Sequence, residues 1–542
     1  MKNAKIRLTA LLLALVLLLT GCGMVDFTGY FTALKSMMGG GNAVITYESM
    51  EYSRPDMTEL QQALDAACAA AAEGESVEAV VDAIYEFYDV YDWFYTNYSL
   101  ADIHYCADLT DIYWEKEYNY CVENSSTVDA ALEALYYALA QSPCREELES
   151  AAYFGPGFFD SYEGENLWGE EFTAMMEQES ALQSQYYTLA AQALEYESGT
   201  EAYYDACADE MAQLLVDLIA LRQEIAAYWG YTDYVQFAGD FYYYRDYTPS
   251  EMAAYLSDIQ QELVDIYCRI SSDDWESAYK YSSERQTLSF VRQAAKNMGG
   301  TIWEAFELLE AGGLYDIAYG ENKYDSSFEV YLTSYWEPFI FMNSTMSRYD
   351  CLTLAHEFGH FCHDYVCYGT YASVDVTEVF SQGMEYLSLC YGEATEDLAR
   401  VKLADSLCTY VEQAAFAAFE QKMYALTGDD LSVEGLYQLY DEVAQAYGFA
   451  HVGYDAREFV AITHFYANPL YVISYVVSND AAMQLYQLEQ ETPGAGLQRM
   501  EENLNSEESY FLVFVETAGL ESPFAEGRIG EVRKTFESVF GE

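Results

Sequence analysis

Apolar residues recur at spacings of three and four, separated by acids, along most of the chain after Pro55. The stretches SVEAVVDAIYEFYDVYDWFY (76–95), STVDAALEALYYALAQ (126–141) and ACADEMAQLLVDLIALRQEIAAYWG (206–230) each lay one apolar stripe along a helix. Thr248-Pro249-Ser250-Glu251 reads as a capping box with proline in the first turn, so a further helix opens there. Most tyrosines fall on these stripes, where packing accounts for them better than chemistry. Only SSFEVYLTSYWEPFIFMN (326–343) has strand character: it is rich in β-branched and aromatic residues, alternates in part, and carries Pro338, which suits an edge strand.

The N-terminus departs from this pattern. Lys2, Lys5 and Arg7 precede an apolar run from Leu8 to Leu19, followed by Leu19-Thr20-Gly21-Cys22. A run of twelve residues, eleven of them apolar, is too short to span a bilayer, and the form is that of a secretory signal. The Leu-Thr-Gly-Cys ending resembles the lipobox of bacterial lipoproteins, which implies cleavage after residue 21 and lipidation of Cys22. Residues 22–45, with a Gly-Gly-Gly run, then read as a flexible tether. No linker, repeat or second shift of composition divides residues 46–542, so one large, mainly α body with a small sheet is expected. The protein is thereby expected to be anchored by lipid on the outer face of a cell membrane.

Charge narrows the partners. Ninety acids against 24 bases give −66, and loss of residues 1–21 leaves 21 bases and a balance of −69. Nucleic acid would be repelled, and anionic lipid gives no electrostatic docking beyond the lipid anchor. Such acidity serves solubility outside the cell and could also draw cationic peptides by long-range attraction. The eleven cysteines after Cys22 are scattered, odd in number and without a C-x-x-C pair, which favours buried thiols over a disulfide framework.

Chemistry concentrates in TLAHEFGHFCHDY (353–365), which holds three of the six histidines. His356 and His360 are four apart and share one helix face, within reach of a single ion, with Glu357 beside the first to act on a water. Leu352, Leu354, Ala355, Phe358 and Phe361 bury this helix, so its polar groups need a reason. A catalytic zinc takes three protein ligands. His363 lies roughly 10 Å along the axis from His356, too far for one ion. The next segment, VDVTEVFSQGMEYLSL (374–389), offers Asp375, Glu378 and Glu385, and spacing alone does not choose between Glu378 and Glu385.

TLAHEFGHFCHDY, DVTEVFSQGMEY, PFIFMN and RQEIAAYWGYTDYVQF (222–237) together resemble the thimet oligopeptidase and oligoendopeptidase F family of zinc peptidases. The family's E-x-x-S-x-x-x-E segment is matched by Glu378, Ser381 and Glu385, which implies Glu378 as the third zinc ligand and Glu385 as a supporting residue; Asp375, one turn before Glu378, is a further supporting candidate. The gap from His360 to Glu378 is several residues shorter than in the family, so the connecting loop should be trimmed. ITHFYANPLYVISYVVSNDAA (462–482) resembles the family's H-x-Y and P-x-Y-x-x-x-Y segment. It implies His464, Tyr471 and Tyr475 as donors to the reacting carbonyl and Tyr466 as a substrate contact. The segment from Pro338 to Asn343 is expected to pair with the substrate as an added strand. The resemblance further implies two helical lobes around a deep channel, one Zn²⁺, and short unfolded peptides as substrates. A metallocarboxypeptidase of related helical fold and a peptide-capturing lipoprotein without catalysis are the competing readings; the intact H-E-x-x-H speaks against the second.

Overall fold

The computed structural model describes residues 44–150, 153–162, 170–193, 200–369, 372–394, 396–506 and 508–541. The signal segment, Cys22 and the tether up to residue 43 lie outside the described residues. Among the described residues, no helix is long and apolar enough to cross a membrane.

The chain opens with three helices, α1 (Met57–Glu73), α2 (Val77–Ala107) and α3 (Ile112–Ala140). Asp56, Ser76 and Asp111 cap them by accepting from backbone N–H groups of the first turn. The apolar stripes at 76–95 and 126–141 are therefore parts of longer helices. Helix α4 (Glu170–Ala193) pairs with α5 (Glu201–Tyr228), and α6 (Tyr234–Phe241) follows. Helix α7 (Pro249–Tyr267) begins at the expected box: Thr248 Oγ1 accepts from Glu251 N at 3.2 Å while Glu251 Oε2 accepts from Thr248 N at 2.8 Å. Then come α8 (Glu284–Met298) and α9 (Gly300–Gly312).

A three-stranded sheet follows, built from β1 (Tyr315–Asp316), β2 (Ser327–Leu332) and β3 (Glu337–Met342) in the order β1-β3-β2. The region that reads as one strand is thus an antiparallel hairpin, registered Ser327 to Met342 and Tyr331 to Pro338, with β1 parallel to β3 on the other side. Trp336 takes the left-handed conformation, φ 61°, to close the turn. Strand β3 is consequently central at Ile340 and Phe341, whereas Pro338 pairs only with Tyr331 of β2 because β1 does not reach it, so the proline keeps an open side; β2 and the two-residue β1 are the edges of the sheet.

Helix α10 (Asp350–Cys367) packs on this hairpin and against α11 (Val374–Tyr391). Helices α12 (Glu396–Cys408) and α13 (Ala414–Met423) are joined by a π-helical turn, Thr409–Gln413. Helix α14 (Val433–Ala446) and the short α15 (Thr463–Ala467) lead to α16 (Val472–Glu491), and α17 (Ala495–Asn503), α18 (Phe511–Thr517) and α19 (Arg528–Phe540) complete the chain. The most extensive packing in the molecule is of α11 against α16 and α10. Glycine makes the α10–α11 crossing close: a Cβ on Gly359 would lie 2.5 Å from Phe380 O and from Ser381 Cα. The cysteines after Cys22 are free thiols, most of them buried.

Candidate metal centre and active-site cleft

Two helices meet at the site. On α10, His356 and His360 are one turn apart with ring centroids 5.0 Å from each other. The close crossing at Gly359 brings the Glu378 carboxylate of α11 to them, with Oε2 3.4 Å from His356 Nε2 and Oε1 3.9 Å from His360 Nε2. One ligand atom from each of the three residues lies within 4.8 Å of the others. Two imidazoles and one carboxylate converging in this way fit a divalent transition ion with a position left open.

Glu385, two turns further along α11, faces the other side of the same imidazole. Its Oε1 lies 2.9 Å from His356 Nδ1, so the ring presents Nε2 toward Glu378 and Nδ1 toward Glu385. The other carboxylate oxygen pairs with Lys402 Nζ at 2.7 Å, and Lys402, buried on α12, also lies 3.3 Å from Asp405. Burial opposes ionisation of Glu385, but Lys402 and His356 hold its carboxyl below the ordinary range. Glu378 is held as well: Ser381 Oγ donates to its Oε2 at 2.8 Å and Tyr471 OH to its Oε1 at 3.3 Å.

Glu357 points the opposite way across the cleft, toward the sheet. Its Oε1 accepts from Ser327 Oγ on β2 at 2.7 Å. Burial pushes its carboxyl upward, and the neighbouring His356 and the Ser327 hydroxyl draw it back in part. A cavity of about 570 Å³ connects these groups, walled by the β2 edge, α10, α11, the π-helical turn, Tyr471 and Tyr475.

The sequence matches the model of the peptidase M3 N-terminal domain over residues 47–167 and that of peptidase family M3 over residues 301–526. The chain belongs to peptidase family M3. It is therefore a metallopeptidase, and His356, His360 and Glu378 form a group that could hold its ion. Among solved structures, a chain assigned to oligoendopeptidase F superposes with a TM-score of 0.76 at 20% identity, covering 92% of this M3 peptidase and 99% of the other. PZ peptidase A with an inhibitor gives 0.75 at 18%, and an oligoendopeptidase F assignment from Bacillus anthracis gives 0.72 at 21%, each over 92% and 99% of the two chains. At these identities the likeness speaks for the fold. No curated protein matches the chain.

The C-terminal segment of this M3 peptidase delivers two tyrosines to the cleft. Tyr471 and Tyr475 line the cavity with ring centroids 5.1 Å apart, and His464 packs behind them, 5.5 and 6.1 Å from the two rings. Burial lowers His464 to about 4, so at neutral pH it is an uncharged imidazole, and it raises both phenols, which stay O–H donors. The loop before Tyr471 is clamped from all sides. Leu470 has φ 66°, its N–H donates to Glu420 Oε1 at 2.6 Å, and its carbonyl accepts from Arg245 Nη2 at 2.8 Å. Tyr243 OH donates to Pro469 O at 2.8 Å, and the fully buried Arg222, paired with Glu179, donates to the carbonyls of Phe465 and Tyr466. A strained residue persists where its surroundings over-determine it.

Four sequence candidates lie elsewhere. Tyr466, two residues from His464, points to the other side of α15, stacks on Tyr186 at 3.7 Å and donates to Met211 O. Asp375 sits a turn before Glu378, where Tyr247 OH donates to its Oδ2 at 2.8 Å and Arg245 Nε lies 3.4 Å away, so it anchors the start of α11 rather than the ligands. Pro338 is in the central strand, and Asn343 braces a turn through Gly320 N and O. Neither borders the cavity; Ser327, Phe328 and Glu329 of the neighbouring β2 do. His363, set aside on distance, stacks on Phe380 and faces Ser506 O. Sequence reasoning missed Ser327 and Lys402. The sequence marks Lys402 only as a base set between Val401 and Leu403.

Proposed function

We propose that this chain is a zinc endopeptidase that cuts internal bonds of short unfolded peptides, carried outside the cell on a lipidated Cys22. Convergence of His356, His360 and Glu378 within 4.8 Å, with Glu357 adjoining, is the observation that supports it most. The N,N,O donor set with an open position suits zinc, which when bound supplies Lewis acidity to a water and to the scissile carbonyl.

The chain's own groups do the rest. Glu357, a buried base steadied by Ser327, takes a proton from the attacking water and returns it to the departing amine. Tyr475 and Tyr471 donate to the oxygen that becomes negative as the carbonyl turns tetrahedral, and His464 keeps the two rings in place. The peptide pairs with the free edge of β2, which borders the cavity, so the added strand expected along β3 moves one strand over. Oligoendopeptidase F assignments among the solved neighbours favour internal cleavage over removal of C-terminal residues.

Glu357→Gln should retain the metal and lose hydrolysis of an internally quenched peptide; full turnover in that variant would refute the assigned base. For the anchor, Cys22→Ala should move the exported protein from the membrane to the soluble fraction, and an unchanged distribution would refute lipidation.

A further inference from the structure

The cleft carries a carboxyl, Glu329, that neither the proposed chemistry nor an ion pair accounts for. Glu329 is on β2, two residues from Ser327 and hence on the same face of the strand as the hydroxyl that holds Glu357. It borders the cavity, yet its Oε1 is buried and has no hydrogen-bond partner. The charged groups around it are Glu357, Asp364 and His363, and His363 Nδ1 is already taken by Asp364 at 3.2 Å. Across the cavity the lysine on the wall, Lys402, is committed to Glu385 and Asp405. A carboxyl left unsatisfied among acids destabilises the fold and makes no bond that a glutamine would lose, so the fold itself gives no reason for it.

We propose that Glu329 is a specificity residue that receives a cationic group of the bound peptide, the ammonium or guanidinium of a lysine or arginine side chain, next to the scissile bond. The inference rests on the zinc-peptidase reading and on the edge position of β2. A peptide paired antiparallel to that edge sets the residue opposite Glu329 on the same face, with the two Cβ atoms about 5 Å apart. Its side chain then projects toward the carboxylate, and a cavity of about 570 Å³ holds a long one. Only a charged donor both fills the empty acceptor and relieves the repulsion from Glu357 and Asp364. Burial and those two acids push the Glu329 carboxyl well above the usual range, the response of a site whose counter-charge arrives with the ligand. A free N-terminal amine has the same chemistry as a lysine side chain, so the test separates them.

The zinc-loaded mature protein is given internally quenched peptides in which lysine, norleucine or glutamate is moved through each position, with the N-terminus acetylated or free. The lysine-to-norleucine ratio of kcat/KM should reach about tenfold or more at one position close to the cut in the acetylated series. It should fall toward one in Glu329→Gln and invert toward glutamate in Glu329→Lys, with metal content and melting temperature confirming folded protein. The preference should also survive high salt, which weakens long-range steering but not a buried contact. Equal cleavage of lysine and norleucine peptides by the wild-type protein at every position would overturn the proposal, as would a preference seen only with free N-termini, one that vanishes with salt, or one unchanged in Glu329→Gln. Failure to cut any peptide would instead refute the peptidase reading.

Discussion

His356 Nδ1 lies 2.9 Å from Glu385 Oε1, and this contact decides which glutamate of α11 can serve the metal. The imidazole stands between two carboxylates, so with one of them holding Nδ1–H, Nε2 is left as the lone-pair donor beside Glu378. Lys402 behind Glu385 keeps that carboxylate ionised and therefore an acceptor.

Weakening this support should loosen the metal without removing a ligand. Glu385→Gln and Lys402→Met should each lower zinc affinity by about 10–100-fold, measured by competition with a chelating dye. Lys402→Met should also cost about 3–5 kcal/mol of stability by stranding a buried carboxylate. Unchanged affinity in both variants would mean that the Lys402–Glu385–His356 chain is packing alone.

The tyrosines differ in how cleanly they can be tested. Tyr471 donates to Glu378, so its removal mixes metal binding with chemistry, whereas Tyr475 lines the cavity and is linked to Glu378 by charge rather than by a direct hydrogen bond. Tyr475→Phe should lower kcat by about 10²–10³ with little change in KM, as for loss of one donor to a developing oxyanion. A variant that changes KM alone would place Tyr475 in binding rather than in the transition state.

How much of this site is legible in the sequence follows from how local each relation is. The pair His356 and His360 is one helical turn, and four-residue spacing conveys it fully. Glu378 and Glu385 are two turns of one stripe and look alike in sequence; only the Gly359 crossing, which sets the height of one helix on the other, separates ligand from support. The hairpin reads as a single strand because the turn that splits it contains no glycine: Trp336 adopts φ 61° in its place. Tyr466 followed the motif, but two residues on a helix are about 200° apart, and His464 already takes the face toward the cleft tyrosines. Lys402 and Ser327 act through partners 17 and 30 residues away, which no short spacing reveals.

The clamp under the Tyr471 loop has a signature in stability. Glu420 is fully buried on α13, its Oε2 lacks a partner, and burial pushes its pKa up to about 8. An unfolded glutamate loses its proton near about 4.3, so between that value and about 8 the folded chain holds a proton that the unfolded chain has released. The folded state binds more protons there, and stability falls as pH rises through the window. Buried Asp102, also raised by burial to about 8, acts in the same direction. Calorimetry should therefore show the melting temperature dropping from about pH 5 to about pH 8, with a shallower drop in Glu420→Gln, whose amide oxygen can still accept from Leu470 N–H. An identical slope in the variant would remove Glu420 from the linkage.

The most direct test of the account is the metal content of the purified mature protein beside that of Glu378→Ala, read by mass spectrometry of the bound metal on the same samples used for peptide cleavage. The account predicts one equivalent of zinc per wild-type chain, with metal and cleavage lost together in a Glu378→Ala variant that stays folded by calorimetry. A wild-type chain that cuts peptides without a metal ion, or a Glu378→Ala chain that keeps its full equivalent and its activity, would contradict it.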